Sequence, residues 1–209
     1  MSRPPYHHGN LRAAVLEAAE RLLDQGGPSA LSLRAIAREA GVSATAPAHH
    51  FGDLSGLLSD LAAIGFQRLV ETMRRAATDP APRAPVHAYV RFAQDNPGLY
   101  TLMFRSDRLD YRRESLAAAS QASWAVLLRS VGSEARMPAE SDLATLGQVT
   151  FRWSLLHGFC TLLLDGQLRP LLANPACNGD PHVLLDVMVP PPAPVRPGPV
   201  PIPTRPPSP

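Results

Sequence analysis

The sequence contains no lysine: all 20 of its basic residues are arginine, a usage that points to codon bias toward GC-rich DNA rather than to a functional demand. Cysteine is almost as scarce. Cys160 and Cys177 are the only two, too few for a disulfide framework or a cysteine metal centre, and each is expected as a reduced, buried thiol. No apolar run reaches the length that spans a bilayer, and the opening Met-Ser-Arg-Pro-Pro has no signal-peptide apolar region. The cytoplasm is therefore the expected compartment, and a membrane is not an expected partner. There is also no nucleophile elbow, phosphate loop, His-Glu metal pair or convincing pair of acids, so no catalytic residue, metal or cofactor is expected. What remains is ordinary for a soluble globular protein: 209 residues, 45% hydrophobic and 18% charged, enough for one large or two small domains.

The chain is organised around Leu31 to Phe51. Leu33, Ile36, Ala37 and Ala40 recur at one-turn spacing and predict the buried face of a short helix. Ser32 stands where its hydroxyl can cap that helix, and Gly41 where a left-handed residue can close it. Val42 fills the corner, and Ser43 is expected to cap a second short helix running to about His50. Two short helices joined by a glycine-bearing turn form a helix-turn-helix pattern, whose second helix can enter a DNA major groove. Charge argues the other way. Residues 1–60 carry five arginines against six acids, a balance of −1, which is a poor footprint for phosphate binding.

Around this motif the rest reads as helices; no stretch reads as a sheet. An arm over residues 1–9 precedes an amphipathic helix from Asn10, with Leu11, Ala14, Val15, Ala18, Ala19, Leu22 and Leu23 on one face, ended by Gly26-Gly27-Pro28. Asp53 is placed to cap a long helix reaching about Arg75. The segment Thr78-Asp79-Pro80-Ala81-Pro82-Arg83 is a linker, followed by helices at about 85–95, 97–104, 112–131, 140–165 and 181–189. The 140–165 helix is apolar on more than one face, so it is expected to contact neighbours on several sides. Positions 190–209 hold 11 of the 23 prolines, which forbids helix and predicts an extended, disordered tail.

This layout resembles the TetR/AcrR family of transcriptional regulators. Tyr6-His7-His8-Gly9-Asn10-Leu11-Arg12 is similar to the family's arm and first-helix start. Leu31–Ala37 and Ala40-Gly41-Val42-Ser43 are similar to its second helix and turn, and His50-Phe51, Asp53 and Leu57-Leu58 to the end of its recognition helix and the start of the fourth helix. Pro97-Gly98-Leu99-Tyr100 through Met103-Phe104, with Trp153, His157 and Gly158, resembles one C-terminal subfamily.

The resemblance implies an all-α protein in three parts: residues 1–53 as a three-helix DNA-binding head with its arm, residues 54–189 as a ligand-binding and dimerising bundle entered by the long fourth helix, and residues 190–209 as the Pro-rich tail. It also implies a homodimeric repressor that binds a palindromic double-stranded DNA operator and is released by a small-molecule effector. Family dimers pair through their last two long helices, here about 140–165 and a final helix cut short near Val189. At three positions the chain departs from the family: Ala48 stands where Tyr is frequent, His49 where a basic residue follows, and Leu54 where Lys is usual. Each departure removes a phosphate contact. They favour the alternative reading, a TetR-like bundle that has lost operator binding and acts as a small-molecule or protein-interaction module.

The candidate DNA-contacting residues are Arg3, Tyr6 and His7 in the arm, then Ser32, Arg34, Ser43, Ala44, Thr45, Ala48 and His49. Thr45 can bond a base edge or phosphate, and the alanine methyls can meet thymine methyls. Pro47 is expected to distort the first turn of the second helix. Adjacent His49 and His50 point roughly 100° apart on a helix, which argues against a shared metal; His50-Phe51 reads as packing. In the body Phe92, Tyr100, Met103, Phe104, Trp124, Phe151, Trp153 and His157 either line a ligand cavity or fill an aromatic core.

Overall fold

The computed structural model describes residues 11–81 and 83–189, which form ten α-helices and two short 3₁₀ turns and contain no strand. The helices are α1 (Leu11–Gly26), α2 (Leu33–Glu39), α3 (Ala46–Phe51), α4 (Leu54–Ala76), α5 (Ala84–Asp95), α6 (Pro97–Met103), α7 (Glu114–Arg129), α8 (Leu143–Leu164), α9 (Arg169–Leu172) and α10 (Pro181–Met188). The all-α expectation holds. The N-terminal arm and the Pro-rich tail lie outside the described residues.

α4 is the helix that the others share. Asp53 caps it, accepting from the Gly56 N–H at 2.8 Å, and twelve of its residues are buried, most of them in the first half. α1, α3, α5, α6 and α7 all pack on it. Its apolar stripe, from Leu57 and Leu58 to Phe66 and Leu69, runs through a single hydrophobic core that also takes in Val15, Ile36, Phe51, Val90, Leu102 and Leu116. Head and body are thus continuous in packing. α6 reaches α1 closely because Gly98 carries no side chain: a Cβ there would sit 3.0 Å from both the Leu23 carbonyl oxygen and Leu23 Cγ.

Polar ties reinforce the same junction. Arg68 on α4 pairs with Glu20 on α1 through both terminal guanidinium nitrogens, Nη1 and Nη2. The loop before α7 is fastened to α4 by Ser59, whose Oγ accepts the Asp110 N–H at 2.8 Å, and by the Arg108 carbonyl, which accepts from Ser55 Oγ at 3.2 Å. Arg108 also donates to the Pro28 carbonyl at 2.7 Å, joining this loop to the turn between α1 and α2.

α8 has no polar side and only one arginine, Arg152, and it packs chiefly on α5 and α7. It thus meets neighbours on more than one side, while one of its faces is bare among the described residues. Leu143 is 84% exposed and Phe151 68%, and a Cβ added at Gly147 or Gly158 would meet nothing within 4 Å.

Candidate DNA-reading head and effector cavity

The turn after α2 is built as its sequence dictates. Ser32 Oγ accepts the Ala35 N–H at 3.2 Å and caps the helix. At the other end Gly41 takes φ +67°, its N–H bonds the Arg38 carbonyl at 3.2 Å, and the Val42 N–H bonds the Ala37 carbonyl at 3.0 Å. That pair of bonds is a Schellman closure, and it needs the left-handed residue that glycine supplies.

The second helix starts later than expected. Ser43 does not cap it; α3 begins at Ala46, with Thr45 before it in a helical conformation and no side-chain cap. The cause is Pro47. A helix starting from Ser43 would need the Pro47 N–H to bond the Ser43 carbonyl, and proline has none. The Ser43 carbonyl instead accepts the Ala46 N–H at 3.1 Å, a tight turn, and Ser43 Oγ lies 3.4 Å from Thr45 Oγ1. Pro47 itself is buried against the head, not presented to a groove.

The exposed residues on this element are Ser43, Ala44, Thr45, His49 and His50, with Ala48 half-buried. His50 was expected to pack with Phe51; only Phe51 is buried, while the His50 ring stacks on His49 with centroids 5.6 Å apart. Ser32 and Arg34 are exposed at the start of α2. Arg3, Tyr6 and His7 lie outside the described residues.

In the body a cavity of about 800 Å³ opens between the second half of α4, the start of α5, α7, α8 and the end of α10. Its wall contains seven aromatic residues: Phe66, Tyr89, Phe104, Tyr111, Trp124, Phe151 and Trp153. Trp124 and Trp153 meet edge to face at 5.2 Å, and Phe104 meets Phe66 the same way at 5.7 Å. Leu69, Val70, Met73, Val86, Leu127 and Leu156 fill the gaps between rings, and the polar members are Ser120, Ser123, Ser130, Arg83 and Arg152. No acid is among the lining residues.

Of the aromatic and polar residues singled out from sequence, Phe104, Trp124, Phe151 and Trp153 line this cavity. Phe92, Tyr100, Met103 and His157 do not. Phe92 and Met103 are core residues, because α5 turns one face inward and α6 is wedged between α1 and α4. Tyr100 and His157 form a polar thread behind the cavity wall: Tyr100 Oη is 2.8 Å from His157 Nδ1 and 3.2 Å from Tyr89 Oη. Burial raises the pKa of Tyr89 and Tyr100 and lowers that of His157, so all three are neutral; burial also pushes the nearby Cys160 thiol up to about 12. Sequence reasoning missed the α4 contribution, Phe66 to Met73.

Cavity and head are joined by α7. Its middle lines the cavity with Ser120, Ser123 and Trp124, while at its start Arg113 and Ser115 meet Asp60 of α4. Asp60 also holds Arg12 of α1 at 2.8 Å, and Arg113 Nη1 donates to the Phe51 carbonyl at the end of α3 at 3.4 Å. Burial alone would raise the Asp60 pKa, but the hydrogen bonds from Arg113 and Ser115 and the charges of Arg113 and Arg12 outweigh it and hold the carboxylate ionised.

Among the described residues no group of three or more His, Cys, Asp or Glu is placed to hold a metal ion, and no helix is long and apolar enough to cross a membrane. Cys160 and Cys177 are free and buried.

A capped helix, a left-handed turn and an exposed short helix, carried on an all-α body with an aromatic cavity, define a helix-turn-helix protein with a ligand-sized chamber. Residues 15–61 match the profile of bacterial regulatory proteins of the tetR family, and residues 83–183 that of a tetracyclin repressor-like C-terminal domain. The chain belongs to the TetR family. It is 31% identical over 96 residues to the uncharacterized HTH-type transcriptional regulator YobS of Bacillus subtilis, covering 44% of this chain and 50% of that one. It is 36% identical over 81 residues to the HTH-type transcriptional regulator BetI of Burkholderia mallei, covering 38% and 42%. The chain thus spans about half the length, or less, of the curated relatives it matches. A solved structure of a protein of unknown function from Rhodococcus sp. RHA1 is 32% identical with a TM-score of 0.67, covering 88% of this chain and 95% of that one.

Proposed function

We propose that the protein is a DNA-binding transcriptional regulator and not an enzyme: a cytoplasmic homodimeric repressor whose two heads bind a palindromic operator and are released by a small molecule in the aromatic cavity. The observation that carries this reading is that one chain holds both a Schellman-closed helix-turn-helix with an exposed second helix and an aromatic chamber of about 800 Å³, joined through α7 and the Asp60 cluster. Residues 1–53 act as the head and 54–189 as the effector and dimer body, with the Pro-rich tail outside both. Ser32, Arg34, Ser43, Ala44, Thr45, Ala48 and His49 form the operator-facing set, and Arg3, Tyr6 and His7 the arm that extends it.

The bare face of α8 and the end of α10 support dimer pairing. Leu143 and Phe151 on α8 and Val187 on α10, 79% exposed, are apolar side chains that pairing with a second copy would cover. Gly147 and Gly158 leave open space for a partner helix to approach closely.

A second reading, a bundle that no longer reads DNA, rests on α3 itself, which carries no arginine and has Ala48 half-buried. Fluorescence-anisotropy titration with the protein's own upstream intergenic DNA and a scrambled duplex, at two salt concentrations, separates the two. A regulator acting on its own promoter binds the upstream DNA more tightly, and weakens with salt. Equal, weak binding to both by a folded dimer favours the second reading and calls for a wider operator search.

A further inference from the structure

Resting on the reading of the cavity as an effector site, we infer that its ligand is an apolar molecule carrying a single anionic headgroup, a carboxylate or its equivalent, with Arg152 as the anchor. Seven aromatic rings by themselves suit two kinds of guest, an apolar body or a cation held over ring faces. The charges decide between them. A cation would enter a chamber with no carboxylate in its wall and two arginines at its surface, Arg83 and Arg152. An anion finds the opposite.

The two arginines are not equivalent. Arg83 is already committed: its Nη1 lies 3.4 Å from Asp186 Oδ1, and its Nε donates to the Val189 carbonyl at 2.8 Å. Arg152 gives one bond, from Nη1 to the Ser130 carbonyl at 2.7 Å, which fixes the guanidinium against the end of α7. No acid pairs with it among the described residues, so the rest of its planar donor fork is free for a carboxylate. Arg152 is the only arginine on α8, a helix otherwise apolar enough to be buried, and it stands one position from the cavity-lining Phe151 and Trp153. Ser120, Ser123 and Ser130 supply further hydroxyls in the same wall and add no charge.

The chain provides its own probe, since both of its tryptophans, Trp124 and Trp153, line the cavity. Intrinsic fluorescence of the full-length protein is titrated with decanoate, decanol and decyltrimethylammonium at neutral pH, alongside size-exclusion chromatography. Decanoate is expected to bind about tenfold more tightly than decanol, the scale of one charge-assisted bond near the surface, and the ammonium most weakly. Arg152→Gln, at an exposed position that leaves the core untouched, should bring decanoate down to the decanol affinity, and Arg152→Lys should restore part of the difference. Equal binding of decanoate and decanol leaves the effector site standing and overturns the anionic headgroup, as does preference for the ammonium. If no probe changes the fluorescence, or if decanoate only dissociates a dimer, the cavity belongs to a second copy of the chain and both readings fall.

Discussion

Arg113 grips Asp60 in a bidentate pair, Nε to Oδ1 at 2.8 Å and Nη2 to Oδ2 at 2.7 Å, and so ties the N-cap of α7 to the second turn of α4. The pair lies where head and body meet. The Asp60 side chain is only 2% exposed, and its remaining bonds go to Arg12 and Ser115. A carboxylate so placed has exchanged water for three fixed partners, and losing the main one leaves a buried charge short of compensation.

Arg113→Ala is therefore expected to cost about 3 kcal/mol, near the low end for breaking a buried pair, because Arg12 and Ser115 still attend the carboxylate. Arg12→Ala removes a side chain that is 54% exposed and should cost under about 1 kcal/mol. The held-down Asp60 pKa gives a pH signature. Its contribution is present above the ordinary carboxylate value and is lost as pH falls through the lower folded value, so the wild type loses this stability only in acid. Urea unfolding of both variants at neutral and acid pH checks the order; equal costs would remove Arg113 from the centre of the junction.

Gly98 tests the other side of that junction. A Cβ there meets the Leu23 backbone carbonyl at 3.0 Å, and a backbone atom inside α1 has little freedom to give way. Gly98→Ala should cost about 1–3 kcal/mol and push α6 from α1. Thermal denaturation measures the cost. A neutral result would mean that the helices separate freely, and that packing does not join head to body.

Much of this architecture was legible because its punctuation is local. Ser32, Gly41 and Asp53 each act through a bond to a backbone group within three residues, and each lies where its residue type predicts. The start of α3 differs from the Ser43 expectation because the distortion expected from Pro47 extends to the whole first turn: without an N–H, Pro47 cannot close a helix begun at Ser43. α9 went unseen, since Arg-Pro-Leu-Leu has no period to read. The cavity was only half legible. Tyr100, about one turn before Phe104, and Met103, its immediate neighbour, look no different from it in sequence, and what separates them is the wedging of α6 between α1 and α4. Likewise the pairing of Asp60 with Arg113 spans 53 positions and has no sequence spacing that announces it.

The head's weak charge makes a quantitative test of its DNA-facing side. Arg34 is exposed at the start of α2, and Leu54 opens α4 where a family member usually has Lys. If the phosphate backbone runs along this edge, Arg34→Ala lowers the salt slope of operator binding by about one and weakens all sequences alike. Leu54→Lys should raise the slope by about one and tighten binding. Anisotropy titrations across a salt series give both slopes. A Leu54→Lys protein with an unchanged slope would put DNA on another face.

His157 carries the last prediction. Its ring sits beside Phe104, with centroids 4.4 Å apart, and its Nδ1 shares a hydrogen bond with Tyr100. Burial lowers its pKa, so whichever nitrogen holds the single proton, adding a second is harder in the folded protein than in the unfolded chain. For a histidine with a depressed folded pKa the sign is fixed: the unfolded chain takes up the proton first, and stability falls as pH drops below about 6.5 until the folded pKa is passed. His182 is depressed too, by burial and then by the charge of His87, and it contributes a similar slope from α10. Thermal melts from about pH 7.5 to pH 5 should therefore show a falling Tm in the wild type, and a shallower fall in His157→Gln, which keeps a polar partner for Tyr100 but cannot charge. Because the thread from His157 through Tyr100 to Tyr89 ends in the cavity wall, the same acid range should also weaken binding of an apolar ligand in the wild type more than in the variant. An identical pH dependence in the two proteins would show that His157 is hydrated and that the thread behind the cavity carries no strain from its charge.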